Sequence, residues 1–102
     1  LPKELSHCYS GWHIYVIRAK NSLLKASLYN HLLKNGIGVN FHYPAVYSHP
    51  YYQRIGYDNV RLNNMDEYHN SCITLPCHVK LTRANIKYIA KLIKQFFEDG
   101  DC

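Results

Sequence analysis

Three short segments combine apolar, aromatic and β-branched residues in the way that strands do. Residues 12–19 read Trp-His-Ile-Tyr-Val-Ile-Arg-Ala, which predicts a strand buried on at least one face. In residues 37–41 the side chains of Ile, Val and Phe alternate with Gly and Asn, which predicts a second strand. Residues 72–75 (Cys-Ile-Thr-Leu) predict a brief third strand that ends at Pro76.

Two longer segments repeat apolar residues with the period of a helix. Leucines recur at four-residue spacing within residues 22–35, so we predict an amphipathic helix that Asn21 or Ser22 caps and Gly36 ends. A second helix is predicted to start at Thr82, whose hydroxyl can cap it. Its apolar positions follow the i, i+3, i+4, i+7 rule and are Ile86, Ile89, Ala90, Ile93 and Phe97.

The stretch of residues 44–65 follows neither pattern. Prolines, a glycine and an Asn-Asn pair interrupt it, so we predict a long connection followed by a short helix at residues 66–71. A loop of this length inside a compact domain is usually functional or covered by a partner. The element order β-α-β-loop-β-α predicts an α+β domain in which helices cover one face of a small sheet.

The composition predicts a single globular domain, residues 1–102. Hydrophobic residues make up 47% of the chain and charged residues 19%, as in folded proteins. The longest apolar stretches are too short to span a bilayer and no leader is recognisable, so we expect a cytoplasmic setting without membrane insertion. The chain begins with Leu1 rather than Met, and we expect the natural start to lie upstream.

The cysteines are expected to be free thiols, because a secreted disulfide scaffold of this length usually carries more of them. Cys72, Cys77 and His78 resemble a metal-ligand cluster only superficially, since no Cys-x2-Cys pair is present. On a strand, Cys72 and Cys77 would start toward opposite faces. We therefore predict no metal site. The cysteines are Cys8, Cys72, Cys77 and Cys102.

The segment that starts at His42 holds the residues best suited to contact a ligand. A strand end fixes such polar aromatic side chains, and the loop that follows exposes them. The structural alternative is more common: tyrosines pack their rings and keep their hydroxyls in water, and histidines bond backbone carbonyls. The residues concerned are His42, Tyr43, Tyr47, His49, Tyr51, Tyr52 and Tyr57.

The charge balance leaves a second function open. A net charge of +5 and ten tyrosines permit a stand-alone basic, tyrosine-rich module that binds phosphorylated ligands or nucleic acid. Against nucleic acid, the arginines are scattered and no Gly-x-x-Gly clamp or recognition-helix pattern is present. No nucleophile elbow, phosphate-binding glycine loop or carboxylate pair indicates catalysis, so no catalytic residue is assigned.

Several short motifs follow one another between Gly11 and Phe97, and their order is more specific than any one of them. They are residues 13–18 (His-Ile-Tyr-Val-Ile-Arg), 36–43 (Gly-Ile-Gly-Val-Asn-Phe-His-Tyr), 50–52 (Pro-Tyr-Tyr), 56–57 (Gly-Tyr), 66–68 (Asp-Glu-Tyr), 74–76 (Thr-Leu-Pro) and 81–82 (Leu-Thr). In this order and spacing they resemble the C-terminal domain of the DegT/DnrJ/EryC1/StrS aminotransferases, which aminate nucleotide-linked keto sugars.

The resemblance implies the small domain of a fold-type-I aminotransferase, with a sheet of three to four mostly antiparallel strands covered by helices. It also implies a homodimer that uses pyridoxal phosphate to move an amino group, commonly from glutamate, onto a nucleotide-linked sugar. Such sugars serve cell-surface polysaccharide or deoxy-amino-sugar biosynthesis. The Schiff-base lysine belongs to the family's larger N-terminal domain, which is absent here. We therefore expect this chain alone to bind no cofactor and to be inactive.

The resemblance also selects the substrate-binding candidates. The strand-end histidine of the family approaches the cofactor and the sugar, which by motif match selects His42, with Tyr43 beside it. Tyr47 is the third candidate, although it stands where the family often has a second histidine, and Ala45 stands where it often has a proline. A domain that docks on a larger one exposes apolar surface when isolated. We expect the tyrosine-dense connection to be that surface, and to be poorly ordered or engaged in self-association.

Overall fold

The computed structural model describes residues 1–99, with the side chain of Asp99 left aside. Two strands and four helices follow one another along the chain. They are β1 (Tyr15–Arg18), α1 (Ser22–Lys34), α2 (Pro50–Tyr52), α3 (Asn63–Ser71), β2 (Cys72–Leu75) and α4 (Arg83–Asp99). The α+β class is confirmed. Cys102, one of the cysteines expected to be free, lies outside the described residues.

Both long helices begin at side chains that cap them. The Asn21 side chain accepts a hydrogen bond from the backbone N–H of Leu24 at 2.9 Å, and α1 is followed by Gly36 in the left-handed region (φ 77°). At the start of α4, the Thr82 hydroxyl accepts from the backbone N–H of Asn85 at 3.2 Å, and the Asn85 carboxamide accepts from the N–H of Thr82 at 2.9 Å. The predicted helices and caps are confirmed.

The sheet is smaller than expected. β1 pairs antiparallel with β2 in a register that runs from Tyr15 opposite Leu75 to Arg18 opposite Cys72. Over the described residues the sheet has two strands, so the count of three to four is wrong. A single bridge between Asn40 and Thr74 stands where a third strand was predicted.

The pairing of residues 37–41 with β2 stops at one bridge. At the next bonded position of this register, Gly38 would face Pro76, which has no N–H to donate. The N–H of Ile37 donates to the carbonyl of Leu32 at 3.0 Å, which ties the start of the segment to the end of α1. Ile37 and Val39 are nevertheless buried, as their alternation predicted.

The core lies between one face of the sheet and the helices α1 and α4. Register partners share a face, so Ile17 and Ile73 point to the same side, where both join the core. The buried members of this cluster are Leu28, Leu32, Ile37, Val39, Ile73, Ile89 and Leu92. Helices covering one face of a small antiparallel sheet is the predicted arrangement.

The connection predicted at residues 44–65 contains more helix than expected. A 3-10 turn forms at Val46–Ser48, and α2 continues into a wider helical turn at Gln53–Tyr57. Pro50 is the first residue of α2, where its fixed φ angle favours a helix and its missing N–H has no cost. α3 starts at Asn63, three residues before the predicted start, because the N–H of Asp66 already donates to the carbonyl of Leu62 at 2.9 Å.

Candidate functional site

His42 follows directly on the segment that bridges to β2. Its side chain is half-buried, and its Nδ1 atom is buried without a hydrogen-bond partner among the described residues. Its backbone carbonyl accepts a hydrogen bond from the hydroxyl of Tyr68 on α3 at 2.8 Å. Burial raises the pKa of Tyr68 above the ordinary 10.0. The backbone at His42 is thus fixed from α3, while one ring nitrogen stays unpaired.

Tyr43 stands beside His42, as the sequence predicted. The two rings meet edge to face, with centroids 4.6 Å apart and an interplanar angle of 70°. The peptide bond between them is cis. Tyr43 is 63% exposed, so its phenol faces solvent and can contact a ligand or a neighbouring domain.

Tyr47 lies on the 3-10 turn and is committed to an internal contact. Its hydroxyl donates to Oδ1 of Asp66 on α3 at 2.5 Å. This hydrogen bond is the main reason that the pKa of Tyr47 is raised above 10.0, and desolvation and the Asp66 charge add to it. Tyr47 therefore anchors the connection to α3, and its hydroxyl is not free in the way that the nitrogen of His42 is.

A small groove opens beside His42, and we name it the polar groove. It has a volume of about 310 Å³ and lies where the start of β1, the bridge residue Asn40 and the end of β2 meet. No Asp, Glu, Lys or Arg side chain lines it. Its chemistry comes from imidazole, amide, hydroxyl and thiol groups. Those that matter below are His13, Asn40, His42, Thr74 and Cys77.

Three residues of the polar groove were not selected from the sequence as site residues: His13, Asn40 and Thr74. His13 was part of a predicted strand, Asn40 part of an alternating segment, and Thr74 part of a Thr-Leu-Pro motif. One signal for Thr74 was available, since it is the one polar residue of the predicted strand at residues 72–75 that is not a cysteine. Nothing in the sequence places His13 at the same groove as Thr74, because this depends on the register of β1 and β2.

A second groove, the apolar groove, lies between β1 and α4 and has a volume of about 560 Å³. Tyr15 and Ile17 of β1 line it opposite an apolar stripe of α4, which comprises Ile86, Ala90, Ile93 and Phe97. The stripe adjoins the one that packs on the core, so α4 offers apolar side chains to two sides.

The tyrosine-dense connection is also exposed, as expected: Tyr51 is 59% and Tyr57 50% accessible. Its self-association stays a prediction.

The cysteines and histidines make no metal centre in the part of the chain that the structure describes. No group of three or more His, Cys, Asp or Glu side chains is arranged there to hold an ion. Cys8, Cys72 and Cys77 carry free thiols, as predicted. The thiol of Cys77 donates to the backbone carbonyl of Trp12 at 3.0 Å.

None of the helices in residues 1–99 has the length and apolar composition needed to cross a bilayer.

Comparison with known proteins decides the family. Residues 2–94 match the model of the DegT/DnrJ/EryC1/StrS aminotransferase family. The chain belongs to this family. The resemblance noted from the motifs is thereby confirmed, and the match covers more of the chain than the motifs did.

Individual relatives agree with the family match. A Campylobacter jejuni UDP-4-amino-4,6-dideoxy-N-acetyl-beta-L-altrosamine transaminase is 28% identical over 74 residues, which are 72% of this chain and 19% of that protein. Helicobacter pylori PseC, an aminotransferase of pseudoaminic acid biosynthesis, superposes with a TM-score of 0.78 at 27% identity, covering 86% of this chain and 24% of the other. The putative sugar aminotransferase Spr1654 of Streptococcus pneumoniae has a TM-score of 0.75 at 26% identity, covering 93% and 25%.

These family members are much longer than the chain. It spans about a fifth of the curated relative's length and about a quarter of each solved chain. Spr1654 has also been solved in its PMP-form, and the family uses pyridoxal phosphate in its full-length enzymes.

The polar groove does not fit pyridoxal phosphate by itself. It has no lysine to join the cofactor and no carboxylate to face the pyridine nitrogen among its lining residues. Lys25 is held elsewhere, because its ammonium group donates to the carbonyl of His69 at 2.6 Å and lies 4.0 Å above the ring of Phe41. Lys87, Lys91 and Lys94 line a shallow surface of α4 instead. The groove offers uncharged polar groups, but no lysine or carboxylate that could hold the cofactor.

Proposed function

We propose that this chain is the C-terminal domain of a pyridoxal-phosphate-dependent aminotransferase that acts on nucleotide-linked keto sugars. It is inactive without the family's larger N-terminal domain. The full-length enzyme works as a homodimer, takes its amino group from glutamate and serves cell-surface polysaccharide or deoxy-amino-sugar biosynthesis. It is cytoplasmic, in keeping with free thiols at Cys8, Cys72 and Cys77.

One observation carries the proposal. The fold of this chain matches PseC with a TM-score of 0.78 over 86% of its residues, while it spans only 24% of that aminotransferase. A match that covers most of this chain but only a quarter of PseC is what a single domain of a larger enzyme produces. The name of the Campylobacter relative supplies the substrate class, a UDP-linked amino sugar.

Within this enzyme, His42, Tyr43 and Tyr47 contribute in different ways. We assign His42 and Tyr43 to contact with the sugar, because one has an unpaired ring nitrogen and the other an exposed phenol. Tyr47 shapes the site through its hydrogen bond to Asp66, which holds the connection against α3. The larger domain holds the cofactor, which carries the amino group between donor and sugar.

The direct test is amino transfer by the longer protein that carries this chain, measured in the reverse direction from an amino sugar to 2-oxoglutarate. The protein is incubated with pyridoxal phosphate, 2-oxoglutarate and UDP-4-amino-4,6-dideoxy-N-acetyl-β-L-altrosamine, and the glutamate formed is measured. We expect glutamate from the longer protein and none from the 102-residue chain alone. If the longer protein fails with this sugar and with a panel of other UDP- and dTDP-linked amino sugars, the proposal is wrong.

The same material tests the alternative function, a stand-alone module for phosphorylated ligands or nucleic acid. Such a module would bind UDP or single-stranded RNA as the 102-residue chain, and its affinity would fall steeply with salt because phosphate contacts release counterions. We expect no salt-sensitive binding from the isolated chain. Tight, salt-sensitive binding to either probe would favour the alternative.

A further inference from the structure

The polar groove brings together residues that are far apart in the sequence. Asn40 and Thr74 exchange two backbone hydrogen bonds, at 3.1 and 2.7 Å, so the segment before His42 lies against β2. The pairing of Tyr15 with Leu75 sets the start of β1, and with it His13, at the end of β2. The result is a concave site built from three separate stretches of backbone.

Two buried polar atoms of residues that line this groove have no hydrogen-bond partner among the described residues. They are Nδ1 of His42 and Oγ1 of Thr74. Thr74 as a whole residue is 6% exposed. A buried polar group left unpaired destabilises a fold, and two at one groove therefore need an explanation. A ligand that pairs with both provides one.

The charge of the lining selects the kind of ligand. A diphosphate is usually bound by arginine, lysine or a metal ion, and the polar groove has neither of these cationic side chains. A hydroxyl or amide group of a sugar can both donate and accept, as Thr74 can, and it requires no fixed charge. The Asn40 carboxamide uses its oxygen on the N–H of Phe41, so its NH₂ group remains available at the rim.

We propose that the polar groove binds the sugar part of the nucleotide-linked substrate, with Thr74 and His42 as hydrogen-bond partners and Asn40 at the rim. This inference rests on the proposed function and adds Thr74 and Asn40 as residues that determine the choice of sugar. Binding through Thr74 and His42 requires rotation about their side-chain bonds, because the two polar atoms are buried in this structure. The nucleoside diphosphate lies outside the groove, against other parts of the enzyme.

The test is Thr74→Val in the longer enzyme, because valine has the same shape and lacks the hydroxyl. We expect the KM for UDP-4-amino-4,6-dideoxy-N-acetyl-β-L-altrosamine to rise about three- to tenfold, the loss expected from one hydrogen bond. Inhibition by UDP alone is expected to stay within about twofold, since UDP lacks the 4-amino sugar that the groove is proposed to hold. The thermal midpoint is expected to hold or rise, because an unpaired buried hydroxyl has been removed. Thr74→Ser, which keeps the hydroxyl, is expected to give a lower KM than Thr74→Val.

Thr82→Val is the matched control. It makes the same change at the cap of α4, outside the polar groove, so we expect a lower thermal midpoint and an unchanged KM. A Thr74→Val enzyme with wild-type KM contradicts the inference. So does one in which UDP inhibition weakens as much as sugar binding, because the groove would then hold the nucleotide.

Failure of the proposed function has a different signature. In that case the wild-type longer protein forms no glutamate with any sugar tested, and both proposals fall together. Failure of the inference alone leaves the wild-type enzyme active and the Thr74→Val enzyme indistinguishable from it in KM.

Discussion

The aliphatic core and the tyrosine-dense connection both contain large apolar side chains, but only the core buries them. Leu28 and Leu32 of α1 and Ile73 of β2 are 0–2% exposed and belong to one buried cluster. α1 and β2 contact each other there. In the connection, Tyr51, Ile55 and others remain about half exposed. Within residues 1–99 the core residues bury one another, whereas the exposed apolar side chains of the connection are not buried against other described residues. A family member that spans a quarter of its relatives is expected to show both conditions at once.

The largest effect should come from the core. Leu32→Ala removes a side chain that is 0% exposed, and we expect it to lower the free energy of unfolding by about 2–5 kcal/mol. Ile55→Ala in the connection, where the side chain is 53% exposed, should change it by less than about 1 kcal/mol. Urea unfolding of both variants measures the difference. Equal losses would mean that the connection is buried against another part of the protein.

The second comparison concerns the two candidates that the structure separates, His42 and Tyr47. The proposed contact of His42 with the sugar predicts that His42→Ala lowers the turnover of the longer enzyme about ten- to a hundredfold. Tyr47→Phe should lower it less, since Tyr47 acts through Asp66. Steady-state kinetics decides between them. Negligible effects of both changes would remove His42 from the site.

The smallest effect is a pH dependence of stability. The folded protein holds the hydroxyl proton of Tyr47 more tightly than the unfolded chain does, because its pKa is raised from 10.0 by the hydrogen bond to Asp66. This stabilisation is complete below pH 10 and is lost as the pH rises through the raised pKa. Tyr68, with its pKa raised by burial, follows the same sign.

Thermal unfolding across the alkaline range measures this effect. We expect Tyr47→Phe to be less stable than the wild type near neutral pH, and the gap to narrow as the pH rises above 10. Tyr9→Phe is the control, because Tyr9 is 99% exposed and its loss leaves the profile unchanged. A gap that stays constant with pH would show that the hydroxyl of Tyr47 does not stabilise the fold through its proton.

Sequence patterns were sufficient to predict the two long helices, whose apolar stripes and caps depend on residues close together in the chain. The leucine spacing around Leu28 and the caps at Asn21 and Thr82 predicted α1 and α4, since both depend on neighbours within a few residues. The predicted strand at residues 37–41 is reduced to one bridge, because the next bonded position would pair Gly38 with Pro76, which has no N–H, and apolar periodicity does not record this.

The site was predictable only in part. The motif ending in His42 and Tyr43 marked a strand end, and the structure keeps these two rings together. The polar groove could not be foreseen, because it depends on the register of β1 with β2 and on the bridge between Asn40 and Thr74. Tyr47 was selected as a ligand contact from its position in the motif, but its hydroxyl bonds Asp66, nineteen residues further along the chain.

The central claim is that this chain functions as one domain of a larger aminotransferase, and the size of the native protein tests it most directly. An antibody raised against the 102-residue chain is used to detect the protein in its source cells after separation by mass. We predict a band about four to five times the size of this chain, since it spans 19% to 25% of its relatives. A band of the chain's own size, with no larger chain bound to it, would contradict the account.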